Sequence, residues 1–187
     1  METRSLDISG LQLIVPQHIG DERGYFAEVF RVDVFTRLCG EHIFVQDNES
    51  LSARKGTVRG FHFQTAPNAQ GKLVRCTAGA LFDVAVDIRA GSPTFGRWVG
   101  ETLKPDDGKQ LWIPPGFAHG FCTLEPDTVI AYKVTAYYDP DCDKGLAWDD
   151  PTIGVRWPDS IDTETLSRKD RKQSSLFDLP VYFTWSD

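Results

Sequence analysis

The sequence predicts an all-β fold, a sandwich or barrel of short strands. Three observations lead there. Sixteen glycines and 11 prolines are spread along the chain, so turns are frequent and elements short. Between them lie short apolar runs rich in β-branched and aromatic side chains, which suit a pleated, half-buried surface. Phe82-Asp83-Val84-Ala85-Val86-Asp87-Ile88 alternates large apolar residues with Asp and Ala, the period of a strand with two unlike faces.

In chain order, residues 11–15 read as a first strand ended by Pro16. Asp21-Glu22-Arg23-Gly24 is turn-like and leads into a second strand over 25–30. Residues 32–38 suit a short helix stopped by Gly40. Residues 44–50 begin as a strand and become polar, and 53–56 form a basic turn. Then comes Arg59-Gly60-Phe61-His62-Phe63-Gln64, a strand unusually dense in polar groups. The strand over 72–77 sets Leu73 and Arg75 against Lys72, Val74 and Cys76. After the alternating run, Gly91-Ser92-Pro93-Thr94-Phe95-Gly96 is a turn cluster. Further strands are expected over 98–103, 110–113, 117–124 and 129–138, with turns at 105–108 and 125–127. Residues 160–171 are polar and suit one or two helical turns. No repeat, low-complexity tract or linker breaks the pattern, so 1–187 is expected to be one domain.

A formal net charge of -7 argues against nonspecific nucleic-acid binding, which needs a basic footprint. An anionic small molecule stays compatible, because a pocket can be locally basic. Cys39, Cys76, Cys122 and Cys142 form no C-x-x-C pair, so reduced thiols in a cytoplasmic protein are expected. Met1-Glu2-Thr3-Arg4-Ser5-Leu6-Asp7 lacks the apolar core of a signal peptide, and no apolar run reaches transmembrane length. No membrane partner is expected.

Of the four histidines, His18 and His42 fall in loops and receive no role. His62 and His119 lie on strand-like runs beside aromatic residues. A strand histidine is by default a hydrogen-bonded structural residue. Around His62 that default weakens: Arg59 and Gln64 flank it and Gly71-Lys72 opens the next strand. Several polar groups entering one β-core are costly unless satisfied or used. Taken singly, Lys72 reads as a surface lysine, Tyr132 as a core tyrosine, and Asp170 as a solvated charge or helix cap. Cupin-type metal sites use an H-x-H pair, and here Gln64 stands two beyond His62. The G-x-S-x-G elbow and the G-x-x-x-x-G-K-[ST] phosphate loop are absent from the sequence. A His, a Tyr, a Lys and arginines suit proton abstraction beside a carbonyl. A base removes the α-proton, a cation holds the enolate oxygen and a phenol returns a proton.

Longer motifs accompany this set. They are Asp21-Glu22-Arg23-Gly24-Tyr25-Phe26-Ala27-Glu28, Gln46-Asp47-Asn48, Arg59 to Gln64, Lys72-Leu73-Val74-Arg75 and Asp83 to Arg89. Ser92 to Gly96, Tyr132-Lys133, Trp148-Asp149-Asp150-Pro151 and Ser167-Arg168-Lys169-Asp170 add to them. Gln110-Leu111-Trp112-Ile113-Pro114-Pro115-Gly116-Phe117-Ala118-His119-Gly120-Phe121 is especially specific. Through these motifs the chain resembles the dTDP-4-dehydrorhamnose 3,5-epimerase family over nearly its whole length.

The resemblance implies a double-stranded β-helix, the cupin-like jelly roll, with short peripheral helices and a partly helical C-terminal segment. It implies no metal and no other cofactor. The substrate would be a dTDP-4-keto-6-deoxyhexose. His62 would be the base, paired with Asp170; Lys72 would face the C4 oxygen; Tyr132 would donate a proton on the opposite sugar face. Arg59 and His119 would line the sugar and diphosphate region. Arg23, Phe26, Glu28, Gln46, Asn48, Tyr138, Asp143 and Lys169 match nucleotide and diphosphate positions. A homodimer is implied, its N-terminal strand reaching the neighbouring site. Phe61 stands where Leu is more usual, Asp143 where Glu is common, and Thr128 in place of a commonly acidic residue; Arg168 is one of several residues seen there. The motifs leave open a C3-only or C5-only epimerase. A carbohydrate-binding jelly roll and a metal-dependent cupin are the rival classes.

One conflict stands out. Strict alternation puts His62 with Val58, Gly60 and Gln64, and Arg59 on the other face. The resemblance wants Arg59 and His62 on one ligand. A bulge at Gly60 would reconcile them.

Overall fold

A computed structural model describes residues 1–186. The chain opens with β1 (Glu2–Ser5), β2 (Gln12–Val15), β3 (His18–Asp21), β4 (Gly24–Ala27) and the helix α1 (Val32–Cys39). The body follows as β5 (Gln46–Ser52), β6 (Val58–Gln64), β7 (Lys72–Ala78), β8 (Leu81–Asp87), β9 (Arg89–Ala90) and β10 (Trp98–Leu103). It continues through β11 (Gln110–Ile113), β12 (Phe117–Thr123), β13 (Thr128–Val134), β14 (Asp143–Gly145) and β15 (Phe183–Thr184). Two 3-10 turns, Thr163–Thr165 and Asp170–Lys172, occupy the segment expected to hold helical turns.

The strands make a six-stranded sheet, β1-β2-β11-β7-β13-β5, and a five-stranded sheet, β10-β8-β12-β6-β14. Consecutive strands β6 and β7, β10 and β11, and β12 and β13 fall in opposite sheets, the winding of a double-stranded β-helix. Alternation explains the layers. Val74 and Ile130 of the larger sheet meet Leu81, Phe117 and Phe121 of the smaller in one buried core. Such side chains contribute roughly 1.5–3 kcal/mol each on burial. On the outer face of the larger sheet, Leu73 and Trp112 pack under Phe35 of α1. On the outer face of the smaller sheet, Phe61, Val84 and Val86 are covered by Leu176 and Trp157.

Two predicted strands are shorter than expected. The one over 129–138 ends at Val134, which pairs with Gln46 and Lys72, the first residues of both neighbouring strands. Beyond it a single backbone bond, from Thr135 N–H to Gly71 O at 3.1 Å, continues the pairing before the chain leaves the sheet. The one over 25–30 ends at Ala27 and pairs only with β3, in an exposed hairpin.

The β6–β12 ladder settles the conflict at Gly60. His62 pairs with His119 and Arg59 with Phe121, so two residues of β6 oppose Gly120 alone. This is a bulge. Gly60 has φ +131°, and a Cβ there would sit 2.5 Å from Gly120 Cα and 2.9 Å from His119 O. Phe61 is thereby sent to the outer cluster while Arg59 and His62 line one cavity.

Candidate active site

One end of the barrel core is apolar; the other opens into a cavity of about 250 Å³. Arg59, His62 and His119 reach it from the smaller sheet, Lys72 and Tyr132 from the larger. Asp170 arrives on its 3-10 turn. An adjoining cavity of about 410 Å³ shares His62, Lys72, Tyr132 and Lys169 and extends to Gln46, Asn48, Tyr138 and Asp143. The deeper cavity and a larger mouth beside it are therefore continuous.

His62 Nε2 lies 2.6 Å from Asp170 Oδ1, and Asp170 is buried. The Asp170 backbone N–H donates to Ser167 Oγ at 3.0 Å, which fixes the turn. Asp170 is thus neither a solvated charge nor a helix cap. Its burial would raise the carboxyl, but the hydrogen bond and charge of His62, with Ser167, outweigh that and hold it below the usual range.

Lys72 is a buried residue at the cavity wall, not a surface lysine, because its position on β7 faces the barrel interior. Its Nζ donates to His62 O at 3.3 Å. Burial pulls its ammonium down to about 8, opposed by the charges of Asp143 and Asp83 and reinforced by Lys169. Tyr132 is only partly buried and lines both cavities. Its phenol is raised by burial, against the pull of Arg59. Among the described residues no side chain hydrogen-bonds its hydroxyl.

His119 Nε2 lies 2.7 Å from Asp83 Oδ1, and both residues are buried. Burial is the main cause holding His119 below the usual imidazole range, with Asp83 opposing. At the mouth, Asp143 accepts from Lys169 Nζ and from Tyr138 Oη, the latter at 3.2 Å. Gln46 Nε2 donates to Asn48 Oδ1 at 2.8 Å. Gln64 turns its amide to backbone partners, Asn68 O at 2.8 Å and the Asp139 N–H at 2.8 Å.

Three expected residues are not in the cavity of their own chain. Arg23, Phe26 and Glu28 lie in or just after the β3–β4 hairpin, where Arg23 pairs with Asp21 and Phe26 is 68% exposed. Asp83, Ser167 and Phe121 belong to the site but carried no individual expectation. The alternation in β8 could have found Asp83, since it sets an acid on the inward face between Leu81 and Ala85. Among the described residues no three His, Cys, Asp or Glu side chains gather as a metal-binding group. No helix of the described residues is long and apolar enough to cross a membrane.

A jelly roll that sets a His–Asp pair and a phenol on facing walls, with an ammonium beside them, defines a cupin-like epimerase. Comparison narrows this. The model of the dTDP-4-dehydrorhamnose 3,5-epimerase family matches residues 5–178. The dTDP-4-dehydrorhamnose 3,5-epimerase of Sinorhizobium fredii is 59% identical over 185 residues, covering 99% of this chain and 94% of that one. A Legionella pneumophila dTDP-6-deoxy-D-glucose-3,5-epimerase, solved with dTDP-4-keto-L-rhamnose, superposes with TM-score 0.93 at 41% identity, covering 100% and 99% of the two chains. A dTDP-4-dehydrorhamnose 3-epimerase of Streptomyces niveus is 37% identical, covering 98% of this chain and 91% of that one. The chain belongs to the dTDP-4-dehydrorhamnose 3,5-epimerase family, and with it to the isomerases.

Proposed function

We propose that this chain converts dTDP-4-dehydro-6-deoxy-D-glucose to dTDP-4-dehydro-L-rhamnose by inverting C3 and C5. The observation that carries the reading is the placement of His62 and Tyr132 on opposite walls of one cavity. The 4-keto group acidifies the hydrogens on both neighbouring carbons. Unprotonated His62 takes one of them, and Asp170 orients the imidazole and stabilises the cation that forms. The enolate charge develops on the C4 oxygen, where the Lys72 ammonium stabilises it in a buried site. Tyr132 then returns a proton from the other face, which inverts the carbon. Repeating the cycle at the second carbon uses the same groups.

The wider mouth suits the nucleotide and diphosphate. Lys169, with Arg59 and His119 deeper in, offers cationic and polar contacts to the anion on an acidic protein. Tyr138, 60% exposed at the rim, offers a flat face to the base. Arg23, Phe26 and Glu28 are assigned to the site of a second copy in a homodimer. Their exposure away from their own chain's cavity supports that placement. The whole chain is read as one domain of a cytoplasmic enzyme working without metal or other cofactor.

A C3-only reaction is the second reading, favoured by the likeness to the Streptomyces 3-epimerase. Incubation of the substrate in deuterated water separates the two. Deuterium at both C3 and C5 of the product is expected; label at C3 alone would establish the second reading instead.

A further inference from the structure

Asp83 has no part in the chemistry above, yet it lies directly behind it. It stands on the inward face of β8 between Leu81 and Ala85, all three wholly buried. One carboxylate oxygen reaches His119 Nε2 at 2.7 Å; the other, Oδ2, is buried without a hydrogen-bond partner. A half-satisfied carboxyl in a core is costly, and an apolar side chain like its neighbours would pack there without that cost. The adjacent cavity wall presents a cation and a ring that would respond to its field.

We propose that Asp83 is a positioning residue for the sugar cavity, fixing the orientation of His119 and sustaining the positive charge of Lys72. This rests on the role given to Lys72 in the proposed reaction.

Two lines of geometry support it. Accepting from Nε2 makes neutral His119 the Nε2–H tautomer, so Nδ1 is left as an acceptor for a sugar hydroxyl. Asp83 holds His119, and His119 and Lys72 line the same cavity, so the Asp83 carboxylate stands one side chain behind the wall that carries the ammonium; Asp143 from β14, the other acid acting on Lys72, is already tied to Lys169. Against them stand Lys169, with His62, His119 and Arg59 around the same cavity; Tyr132 and Asp170 complete the titratable lining. Burial already pulls the Lys72 proton affinity down. Without Asp83, Asp143 would be the acid left to oppose that pull.

The test reads the ligand-free protein, so its outcome is separate from whether the epimerisation occurs. In protein carrying ¹³C-labelled lysine, the Lys72 ¹³Cε titration is followed by NMR in the wild type and in Asp83→Asn, which keeps an acceptor for His119 but drops the charge. The Lys72 acid dissociation constant is expected to rise about tenfold or more in the variant. An unchanged midpoint in folded Asp83→Asn overturns the proposal. Should that variant not fold, Asp83→Ser gives the same comparison. In the wild type, ¹⁵N imidazole spectra are expected to show neutral His119 as the Nε2–H tautomer; the Nδ1–H tautomer overturns the proposal independently of any variant.

Discussion

Asp170 Oδ1 sits 2.6 Å from His62 Nε2, with Asp170 only 4% exposed while a third of the His62 side chain, 33%, stays open to the cavity. A buried acid thus holds an accessible base. Asp170→Asn keeps the shape but removes the charge that orients and stabilises the imidazolium. We expect the rate of epimerisation to fall by ~10²–10⁴ with a much smaller change in KM. Steady-state kinetics on purified variant checks this. A comparable loss in KM alone would place Asp170 in substrate binding.

Lys72 sets an expected alkaline limit. Its ammonium, pulled to about 8 by burial, is the charged form that meets the enolate. Raising pH through about 8 removes that charge in the free enzyme, so kcat/KM should fall on the alkaline side. In Lys72→Arg the guanidinium keeps its proton throughout, and whatever activity survives should lose this limb.

The same lysine should weaken the fold that uses it. Between about 8 and its ordinary 10.5 the folded protein binds fewer protons at Lys72 than the unfolded chain. Stability from this group therefore rises with pH across that window. At neutral pH the buried ammonium is a net cost. Lys72→Met is expected to stabilise the protein by about 1–3 kcal/mol while removing nearly all activity. Denaturant unfolding at pH 7 measures the first and product formation the second.

Gly60 shows how much of the site was legible in the sequence. Alternation in β7 and β8 separated the two faces of each strand as the structure has them, because both strands are paired on both edges, but it did not say which face is inward. Around Arg59 and His62 the same rule gave the wrong face, and the glycine between them was the clue to the bulge. Lys72 and Asp170 looked like ordinary surface charges when read alone. Their burial follows from the neighbouring sheet and from a 3-10 turn distant in sequence, which local pattern cannot register. The short polar strands β1, β3 and β14 carried no apolar period to read.

The bulge also gives a mutational expectation. In Gly60→Ala the new methyl would collide with the β12 backbone, and φ +131° is a conformation an alanine resists. We expect a loss of about 2–4 kcal/mol, with activity falling further than stability because Arg59 and His62 share that backbone. A thermal unfolding curve indistinguishable from wild type would contradict the geometry.

Tyr132→Phe removes the proposed donor and leaves the base. Exchange of substrate hydrogen with deuterated water should survive better than net inversion, by about tenfold or more. Equal loss of both would remove the support for Tyr132 as the acid on the opposite wall.

The most direct test of the account is the loss of ring C–H exchange in His62→Ala. In deuterated water, with the dTDP-4-keto-6-deoxy sugar present and the variant shown to be folded, exchange at C3 and C5 is followed by ¹H NMR. The account predicts that exchange at both carbons falls by ~10³ or more relative to wild type. Exchange within a few-fold of wild type at either carbon would mean that another group is the base.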